Sequence, residues 1–380
     1  MSPFKLSIII PTKNRQFYCV KAIEQVLKNT TECVQIVIQD NSDDDSVISS
    51  FVKNINSNRV LYNHTKQVLS FVDNFNQAVD LANGDYVCMI GDDDGVLPNI
   101  EDALEYVIHN NIDCFIPAQS VVYIWPSNNP IVQGVDNGYL CISNIKRSQK
   151  TIDCNYVLRQ LLKQGFQNYQ HLDVPRLYHG IVKRELLDKI KNEVGYYFGG
   201  LTPDMYMVVA LSVVGKRVIA SQMPVTISGI CPKSGSSASA TGEHTGKLEN
   251  APHFVGHSAY TWSDLVPKIY TVETIWADTG IHALQDFNQE DFIRIFNYKK
   301  LLVLLKIKYP QFKQEYSDFV DGHARPSIFL FLTYRLATVF SFFKKAVKRV
   351  FRKKDSVKKF YDVKDIDSAT TIAKRFITIE

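Results

Sequence analysis

The strongest constraint on the fold is a pair of uninterrupted β-branched runs near the N-terminus, Leu6–Ile10 (LSIII) and Val34–Ile38 (VQIVI). Between them, apolar residues recur at helical spacing, at Val20, Ile23 and Val26. A strand, a helix and a second strand in this order form the unit of a parallel sheet, because parallel neighbours need a long crossover. The sequence therefore predicts an α/β protein with a mostly parallel sheet flanked by helices.

Acidic residues follow two of the predicted strands. Asp40 comes directly after the second run, and Asp92, Asp93 and Asp94 come just after Tyr86–Ile90, which is typical of another buried strand. In open parallel sheets ligands gather at the carboxyl ends of the strands. Both acidic sites are therefore expected at one edge of the sheet, where a ligand would bind.

The composition limits the class of protein. The chain has 380 residues, 45% of them hydrophobic, which is enough for one large or two modest domains. Its seven cysteines include no C-x-x-C pair, so neither a disulfide framework nor a zinc knuckle is indicated and a reducing cytosol is expected. The apolar run in Met1–Ile10 is too short for a secretory signal, so we expect a cytoplasmic protein.

Three adjacent carboxylates repel one another, by about 1 kcal/mol or more per close pair when partly shielded from water. A divalent cation such as Mg²⁺ or Mn²⁺ would offset this repulsion, since both prefer oxygen ligands. The alternative is a solvated acidic turn. The position of Asp92–Asp94 after a buried strand and before Gly95 and Pro98 favours the cation site.

Three segments together resemble family 2 glycosyltransferases of the GT-A fold. They are LSIIIPTKNR from Leu6, VIQDNSDDDS from Val37, and NGDYVCMIGDDDGVLP from Asn83, in the family's order within about a hundred residues. The resemblance covers roughly Lys5–Val214. It implies a Rossmann-like, mostly parallel sheet followed by a helical C-terminal region, and a nucleotide-sugar donor.

The resemblance also implies roles for the nucleotide side of the site. Pro11, Thr12, Asn14 and Arg15 match the loop that lines the nucleotide, and Asp40 matches the carboxylate that accepts a hydrogen bond from uracil. The residue after Thr12 is a lysine, where the family often has an aromatic side chain that stacks on the base.

The acidic segment takes its roles from the same resemblance. Asp92 and Asp93 match contacts to the ribose or phosphates, and Asp94 matches the ligand of the Mn²⁺ or Mg²⁺ ion, which would stabilise the leaving nucleotide.

Two further site residues are expected downstream. In GGLTPDMYM, Asp204 matches the catalytic base of the family, which takes the acceptor's hydroxyl proton; the alternative is an ordinary residue at a helix N-terminus. Cys231–Gly246, rich in glycine and serine, would be either a lid over the donor or a plain linker. Among the histidines that follow, His253 is the first choice for another metal ligand, with His244 and His257 as the others and a surface or core role as the alternative.

The C-terminal part differs in charge from the rest. Residues 324–360 contain eleven basic residues and one acidic residue, Asp355, so the remainder of the chain is slightly acidic. Arg325–Lys354 joins an apolar run, interrupted by Arg335, to the basic cluster, which predicts a helix lying on an anionic membrane surface. A buried helix with a solvated tail and a tilted insertion are the alternatives. Nucleic-acid binding is not expected, because the phenylalanines form a block instead of alternating with the basic residues.

These inferences divide the chain into a GT-A domain (1–230), a mobile loop and helical extension that completes the site (231–323), and a basic membrane-associating region (324–380). The predicted function is inverting, metal-dependent transfer of a sugar, from a UDP-sugar or similar donor, to a glycan or lipid-linked acceptor at the inner face of the cell membrane. The rivals are a sugar nucleotidyltransferase, whose glycine-rich phosphate loop is not found at Pro11–Arg15, and a non-catalytic membrane-bound scaffold, which would be expected to lose the acidic motif.

Overall fold

The computed structural model of the chain describes residues 3–127, 136–143, 145–232, 234, 245–248, 251–254, 260–333, 336 and 357–377. Within them the strands are β1 (Leu6–Thr12), β2 (Val34–Asp40), β3 (Val60–His64), β4 (Tyr86–Met89), β5 (Gly95–Val96), β6 (Cys114–Ile116), β7 (Val121–Ile124), β8 (Tyr139–Ser143), β9 (Gln149–Thr151), β10 (Ile181–Lys183), β11 (Val218–Ser221), β12 (Thr226–Ile230), β13 (Thr245–Lys247), β14 (Ile269–Thr271) and β15 (Val357–Tyr361). The α-helices are α1 (Gln16–Asn29), α2 (Ser46–Ile55), α3 (Phe71–Asp80), α4 (Ile100–His109), α5 (Cys154–Lys163), α6 (Arg184–Val194), α7 (Pro203–Val214), α8 (Val272–Asp286), α9 (Glu290–Ile293), α10 (Tyr298–Lys308), α11 (Lys313–Asp321) and α12 (Ile366–Ile377).

The main sheet has the strand order β3-β2-β1-β4-β10-β6-β11-β9. Its first four strands are parallel, as are β6 and β11, whereas β10 runs antiparallel between β4 and β6. Every residue of β1 and β2 is buried, which explains their unbroken apolar runs, since helices cover both faces of such a sheet. This mostly parallel sheet flanked by helices confirms the predicted fold class.

The order of the strands places a functional edge between β1 and β4. The chain passes from β1 to β2 and β3 on one side and then returns to β4 on the other side of β1. At such a switch point the two loops that leave the carboxyl ends diverge and open a crevice. The Thr12 hydroxyl donates to Asp92 across this gap at 2.5 Å, so the first loop and the acidic segment meet there.

A second sheet, in the order β15-β8-β7-β12-β5, includes a strand from the C-terminal part of the chain. Val357–Tyr361 pairs with β8 along its whole length, and α12 buries Ile366, Ala369 and Ala373 in the core beneath this sheet. Residues 357–377 therefore belong to the folded body, because one side of α12 is apolar and small enough to pack closely. The association of residues 324–380 with a membrane stays a prediction.

The helical extension after residue 230 shares a core with the first domain. Helix α8 packs against α7, and Ile281 and Met205 lie in one buried cluster. The Thr279 hydroxyl also accepts a hydrogen bond from the backbone N–H of Leu201, at 3.1 Å. The predicted boundary at residue 230 thus does not separate two cores.

Most of the predicted lid and most of the basic helix, 334–335 and 337–356, lie outside the described residues, as do His244 and His257. In the described part of the chain, no helix has the length and apolarity needed to cross a membrane.

Candidate active site

The acidic segment after β4 is fully enclosed. Asp92, Asp93 and Asp94 are 0%, 3% and 1% exposed. The Arg15 guanidinium lies 2.6 Å and 3.0 Å from the two carboxylate oxygens of Asp92 and 3.7 Å from Asp93. Burial raises the pKa of Asp92, and Arg15 opposes this shift. An arginine thus provides part of the charge compensation that the sequence analysis assigned to a cation.

Asp94 is held by hydrogen-bond donors on both oxygens. Its Oδ2 accepts from the backbone N–H of Gly91 at 2.6 Å and from the Tyr178 hydroxyl at 2.7 Å, and its Oδ1 accepts from the N–H of Gly229 at 2.6 Å. A Cβ on Gly229 would lie 1.7 Å from the Asp93 carbonyl oxygen, so this close approach requires glycine. Asp94, the predicted metal ligand, is therefore tied into the protein framework.

Asp93 has a different environment. One oxygen accepts from the backbone N–H of Cys231 at 2.9 Å, and its carbonyl accepts from the indole N–H of Trp125 at 2.8 Å. Burial raises the pKa of Asp93, and the neighbouring Asp94 raises it further. Of the three aspartates, Asp93 is the one that lines the main cavity.

This main cavity, of about 1000 Å³, opens at the switch point. It brings together seven of the predicted site residues: Pro11, Thr12, Asn14, Arg15, Asp93, Asp204 and His253. Asp40, Asp92 and Asp94 are absent from its lining. The roles assigned to all ten residues stay predictions. The geometry separates the seven that line the cavity from the three that do not.

Asp40 does not line the cavity, but it holds the turn whose next residue does. Its carboxylate accepts from the Ser42 backbone N–H at 2.8 Å and from the Tyr62 hydroxyl at 2.9 Å, and it is fully buried. The next residue, Asn41, lines the cavity and accepts from the Lys13 ammonium at 3.1 Å. Asp40 therefore fixes the turn that presents Asn41.

The nucleotide loop is anchored to the same turn. Asn14 has a φ of 56°, in the left-handed region that asparagine tolerates better than most residues. Its backbone N–H donates to the Ser42 hydroxyl at 2.7 Å, and its side chain donates to Asp43 at 2.9 Å. The loops after β1 and β2 thus form one unit on the cavity's edge.

The N-terminus of α3 contributes residues that the sequence analysis missed. Phe71 lines the cavity, is 53% exposed, and stacks against Phe75 with ring centroids 4.5 Å apart. Asn74 also lines it, and its buried Oδ1 has no hydrogen-bond partner among the described residues. An aromatic side chain at the first position of an amphipathic helix was the available signal for Phe71.

Asp204 also lines the cavity and lies in the first turn of α7, after Pro203. It is half-buried, and burial raises its pKa to about 6; the nearby positive charge of Arg176 opposes the shift and Asp94 adds to it. A carboxyl with this pKa is mostly ionised at neutral pH yet remains a good proton acceptor, as a general base must be. Both interpretations of Asp204, helix N-terminal residue and base, fit this position.

His253 lines the cavity beside α3. Its ring centroid is 6.4 Å from that of Phe71, and its Nδ1 lies 3.4 Å from the Tyr270 hydroxyl.

Within the described residues, no group of three histidine, cysteine, aspartate or glutamate side chains could hold a metal ion. Mg²⁺ and Mn²⁺ often use only one or two carboxylates and complete their shells with substrate phosphates and water. Asp93, on the wall of this large cavity, fits a cation of this kind. A cage made of protein ligands alone does not fit.

The strand order and the cavity at its switch point define an α/β protein with a ligand site at the carboxyl edge of a parallel sheet. The chain belongs to glycosyl transferase family 2, whose family model matches residues 7–196, half of the chain.

Two curated relatives match over short segments. The putative colanic acid biosynthesis glycosyl transferase WcaA of Escherichia coli (strain K12) is 34% identical over 95 residues, 25% of this chain and 34% of that protein. The GalNAc(5)-diNAcBac-PP-undecaprenol beta-1,3-glucosyltransferase of Campylobacter jejuni is 34% identical over 97 residues, 24% of this chain and 31% of that protein. The chain thus spans about a third of the length of these relatives.

A solved structure, S. aureus TarS 1-349, is similar over 88% of this chain and 92% of its own, at 16% identity and a TM-score of 0.46.

Proposed function

We propose that this protein transfers a sugar from a nucleotide donor, most simply a UDP-sugar, to a hydroxyl group of a glycan or lipid-linked acceptor in surface polysaccharide assembly. One observation carries the proposal: a half-buried carboxylate with a pKa of about 6, Asp204, shares a cavity with the nucleotide loop and Asp93. Membership of the family supports the reaction class. The names of the Escherichia coli and Campylobacter jejuni relatives support the type of pathway.

The cavity suggests how the donor would bind. The nucleotide would lie between the Pro11–Arg15 loop and α3, where Phe71 offers an exposed ring to the base in place of the aromatic residue that the loop lacks. Asn41 and Asn74 would supply polar contacts to the base or ribose. The diphosphate would then lie near Asp93.

The reaction would be a single displacement with inversion at the anomeric carbon. The acceptor oxygen forms a bond to C1 as the bond from C1 to the phosphate oxygen breaks, and the acceptor's hydroxyl proton passes to a carboxylate oxygen of Asp204. Asp93 would hold a Mn²⁺ or Mg²⁺ ion with the donor phosphates, and such an ion would stabilise the charge on the leaving nucleoside diphosphate.

The membrane association remains part of this proposal. The basic cluster at 344–354 would hold the enzyme at the anionic inner face of the cell membrane, near a lipid-linked acceptor.

The direct test is Asp204→Asn in the full chain, after a screen of UDP-, GDP- and dTDP-sugars with Mn²⁺ has identified the donor. We expect kcat to fall by about 10² or more with nucleotide affinity almost unchanged, because the amide cannot take the proton. In the wild type, kcat/KM should rise with pH through about 6 and then level off. Asp318→Asn, at an exposed helical position, is the matched control. Turnover within a few-fold of wild type would place the base elsewhere.

A further inference from the structure

A second cavity, of about 340 Å³, adjoins the candidate active site on the far side of Asp204. The two cavities share Asp204, Tyr178 and Gly229, so a molecule in the second cavity would reach the proposed base. One wall is apolar and includes Met89 and Val208. The polar side chains include Arg176 and His179, to which the proposed function assigns no role.

Arg176 is the unusual member of this lining. It is half-buried, yet its guanidinium forms no hydrogen bond or ion pair with any residue that the structure describes, and its buried Nε has no partner. Burial lowers its pKa, and the nearby carboxylates of Asp173 and Asp204, neither of which forms an ion pair with it, only partly oppose this shift. Removal of the Nε of a guanidinium from water without a hydrogen-bond partner is costly, so the retention of Arg176 needs an explanation.

Arg59 shows how this fold treats a structural arginine. Arg59 is buried, and its two terminal nitrogens donate to backbone carbonyls of Leu27, Thr30, Thr31 and Val34 and to the Thr30 hydroxyl. Among the residues that the structure describes, Arg176 has no comparable set of acceptors. The contrast indicates that the partner of Arg176 is a ligand and not the protein framework.

His179 adds a second unpartnered group to the same cavity. Its side chain is buried, its Nδ1 has no hydrogen-bond partner among the described residues, and its Nε2 lies 3.4 Å from both Asp94 and the Ser228 hydroxyl. Its φ of 62° is unusual for a non-glycine residue, so the backbone holds the ring in this position at some conformational cost.

We infer that the second cavity binds an anionic group, a carboxylate or a phosphate, carried by one of the two sugars that react, with Arg176 as its main contact. A planar guanidinium pairs with either group through two parallel N–H donors, and the apolar wall can cover the face of a sugar ring. The inference rests on the proposed function. Because Asp204 lines both cavities while the nucleotide loop lines only the first, the acceptor is the favoured source of the anion, and the donor sugar is the other.

A simpler role for Arg176 is also testable. Its positive charge lowers the pKa of Asp204, so its removal would shift the pH profile for every substrate alike. An anion-binding role instead predicts a loss confined to ligands that carry the charge. The two roles therefore differ in whether the loss on removal of Arg176 depends on the charge of the ligand.

The experiment uses the full chain as wild type, Arg176→Met, Arg176→Lys and the control Arg159→Met, which changes an exposed arginine stacked over Phe292. Binding by calorimetry compares methyl glucuronoside and glycerol 1-phosphate with methyl glucoside in the presence of UDP. A parallel arm compares UDP-glucuronate with UDP-glucose. We expect wild type to favour the charged member of one arm by tenfold or more, and the arm that shows the preference identifies the source.

Arg176→Met should abolish the preference and Arg176→Lys should retain part of it, while UDP affinity and the control are unchanged. Absence of a preference in both arms of the wild type, or its survival in Arg176→Met, would overturn the inference. If Arg176→Met does not fold, as judged by circular dichroism, the inference is still tested by the comparison of charged and uncharged ligands in the wild type and in Arg176→Lys. Failure of the wild type to bind any UDP-sugar would count against the proposed function instead. The glycoside arm would still test the inference, because it measures binding and not transfer.

Discussion

Three adjacent aspartates are stable at the end of β4 because each has its own partners. Arg15 and Thr12 hold Asp92, the Cys231 N–H holds Asp93, and Asp94 accepts two backbone N–H groups and a tyrosine hydroxyl. Hydrogen bonds to a carboxylate favour its charged form and so oppose the effect of burial. A cation is therefore not needed to hold the free protein together, and its proposed role is confined to the donor complex.

This difference among the aspartates gives a test of the metal site. We expect Asp93→Asn to abolish Mn²⁺-dependent UDP binding, because Asp93 lines the cavity where the phosphates would lie. Asp94→Asn should mainly lower thermal stability, because the new amide nitrogen would face donors. Isothermal titration of UDP with and without Mn²⁺ measures the first effect. Wild-type transfer that survives exhaustive EDTA treatment would contradict the metal proposal.

Asp204 should affect stability in the opposite direction to activity. Its pKa in the folded state, about 6, is above the ordinary value of 3.8, so the folded protein binds this proton more tightly than the unfolded chain. Stability is then lost as pH rises from about 4 to about 6. Asp204→Asn removes this loss, so its free energy of unfolding at pH 7.5 should exceed that of wild type by about 1 to 3 kcal/mol. Thermal melts of both proteins at pH 4 and 7.5 measure this difference in stability. If Asp204→Asn were stabilised equally at both pH values, the raised pKa of Asp204 would not be the cause.

At the scale of elements, the C-terminal strand and helix are integral to the second sheet. Helix α12 packs against α1, and the Thr370 hydroxyl accepts a hydrogen bond from Gln25 at 2.9 Å. Ala369→Asp places a charge at a fully buried position of this helix and should destabilise the protein by several kcal/mol. Thr371→Asp, at an exposed position of the same helix, should change stability little. Similar melting temperatures for both variants would show that α12 is not part of the cooperative unit.

The sequence predicts some elements well and others poorly, for physical reasons. The runs of β1 and β2 are unambiguous because both faces of a parallel strand are buried. Strand β10 has only three residues, and nothing local shows that it runs antiparallel between two parallel strands. The pairing of β15 with β8 joins segments about two hundred residues apart, which local periodicity does not reveal.

The same limit applies to the site. The residue types of the acidic segment and of Asp204 follow from motifs, and the structure brings Asp93 and Asp204 to one cavity. The pairing of Arg15 with Asp92 and the isolation of Arg176 depend on contacts between distant segments. Motifs thus predict which residues gather at the edge of the sheet, while packing decides which of them face the cavity.

On the scale of the whole molecule, charge is segregated along the chain. All of the net positive charge lies in residues 324–360, because the rest of the chain has a net negative charge, and β15 and α12 at the end of the chain return to the body. A basic stretch next to an apolar run and anchored at its end would keep the enzyme close to an anionic surface. A truncation before Ser327 is a poor test of this proposal, because it also deletes β15 and α12.

Substitution of the basic cluster keeps β15 and α12 and so gives a cleaner test of membrane association. Each lysine or arginine near an anionic surface contributes about 1 kcal/mol of attraction, so neutralising five of them should weaken binding to anionic vesicles by more than a hundredfold at low salt. The test variant carries glutamine at five positions: Lys344, Lys345, Lys348, Arg349 and Arg352. The control carries glutamine at five exposed lysines elsewhere: Lys5, Lys163, Lys216, Lys247 and Lys268. Sedimentation with phosphatidylglycerol vesicles should separate the two variants. Donor hydrolysis, measured in both, checks that the substitutions leave the catalytic domain folded. If the wild type fails to sediment, or both variants sediment alike, the positive charge of this segment does not bind a membrane.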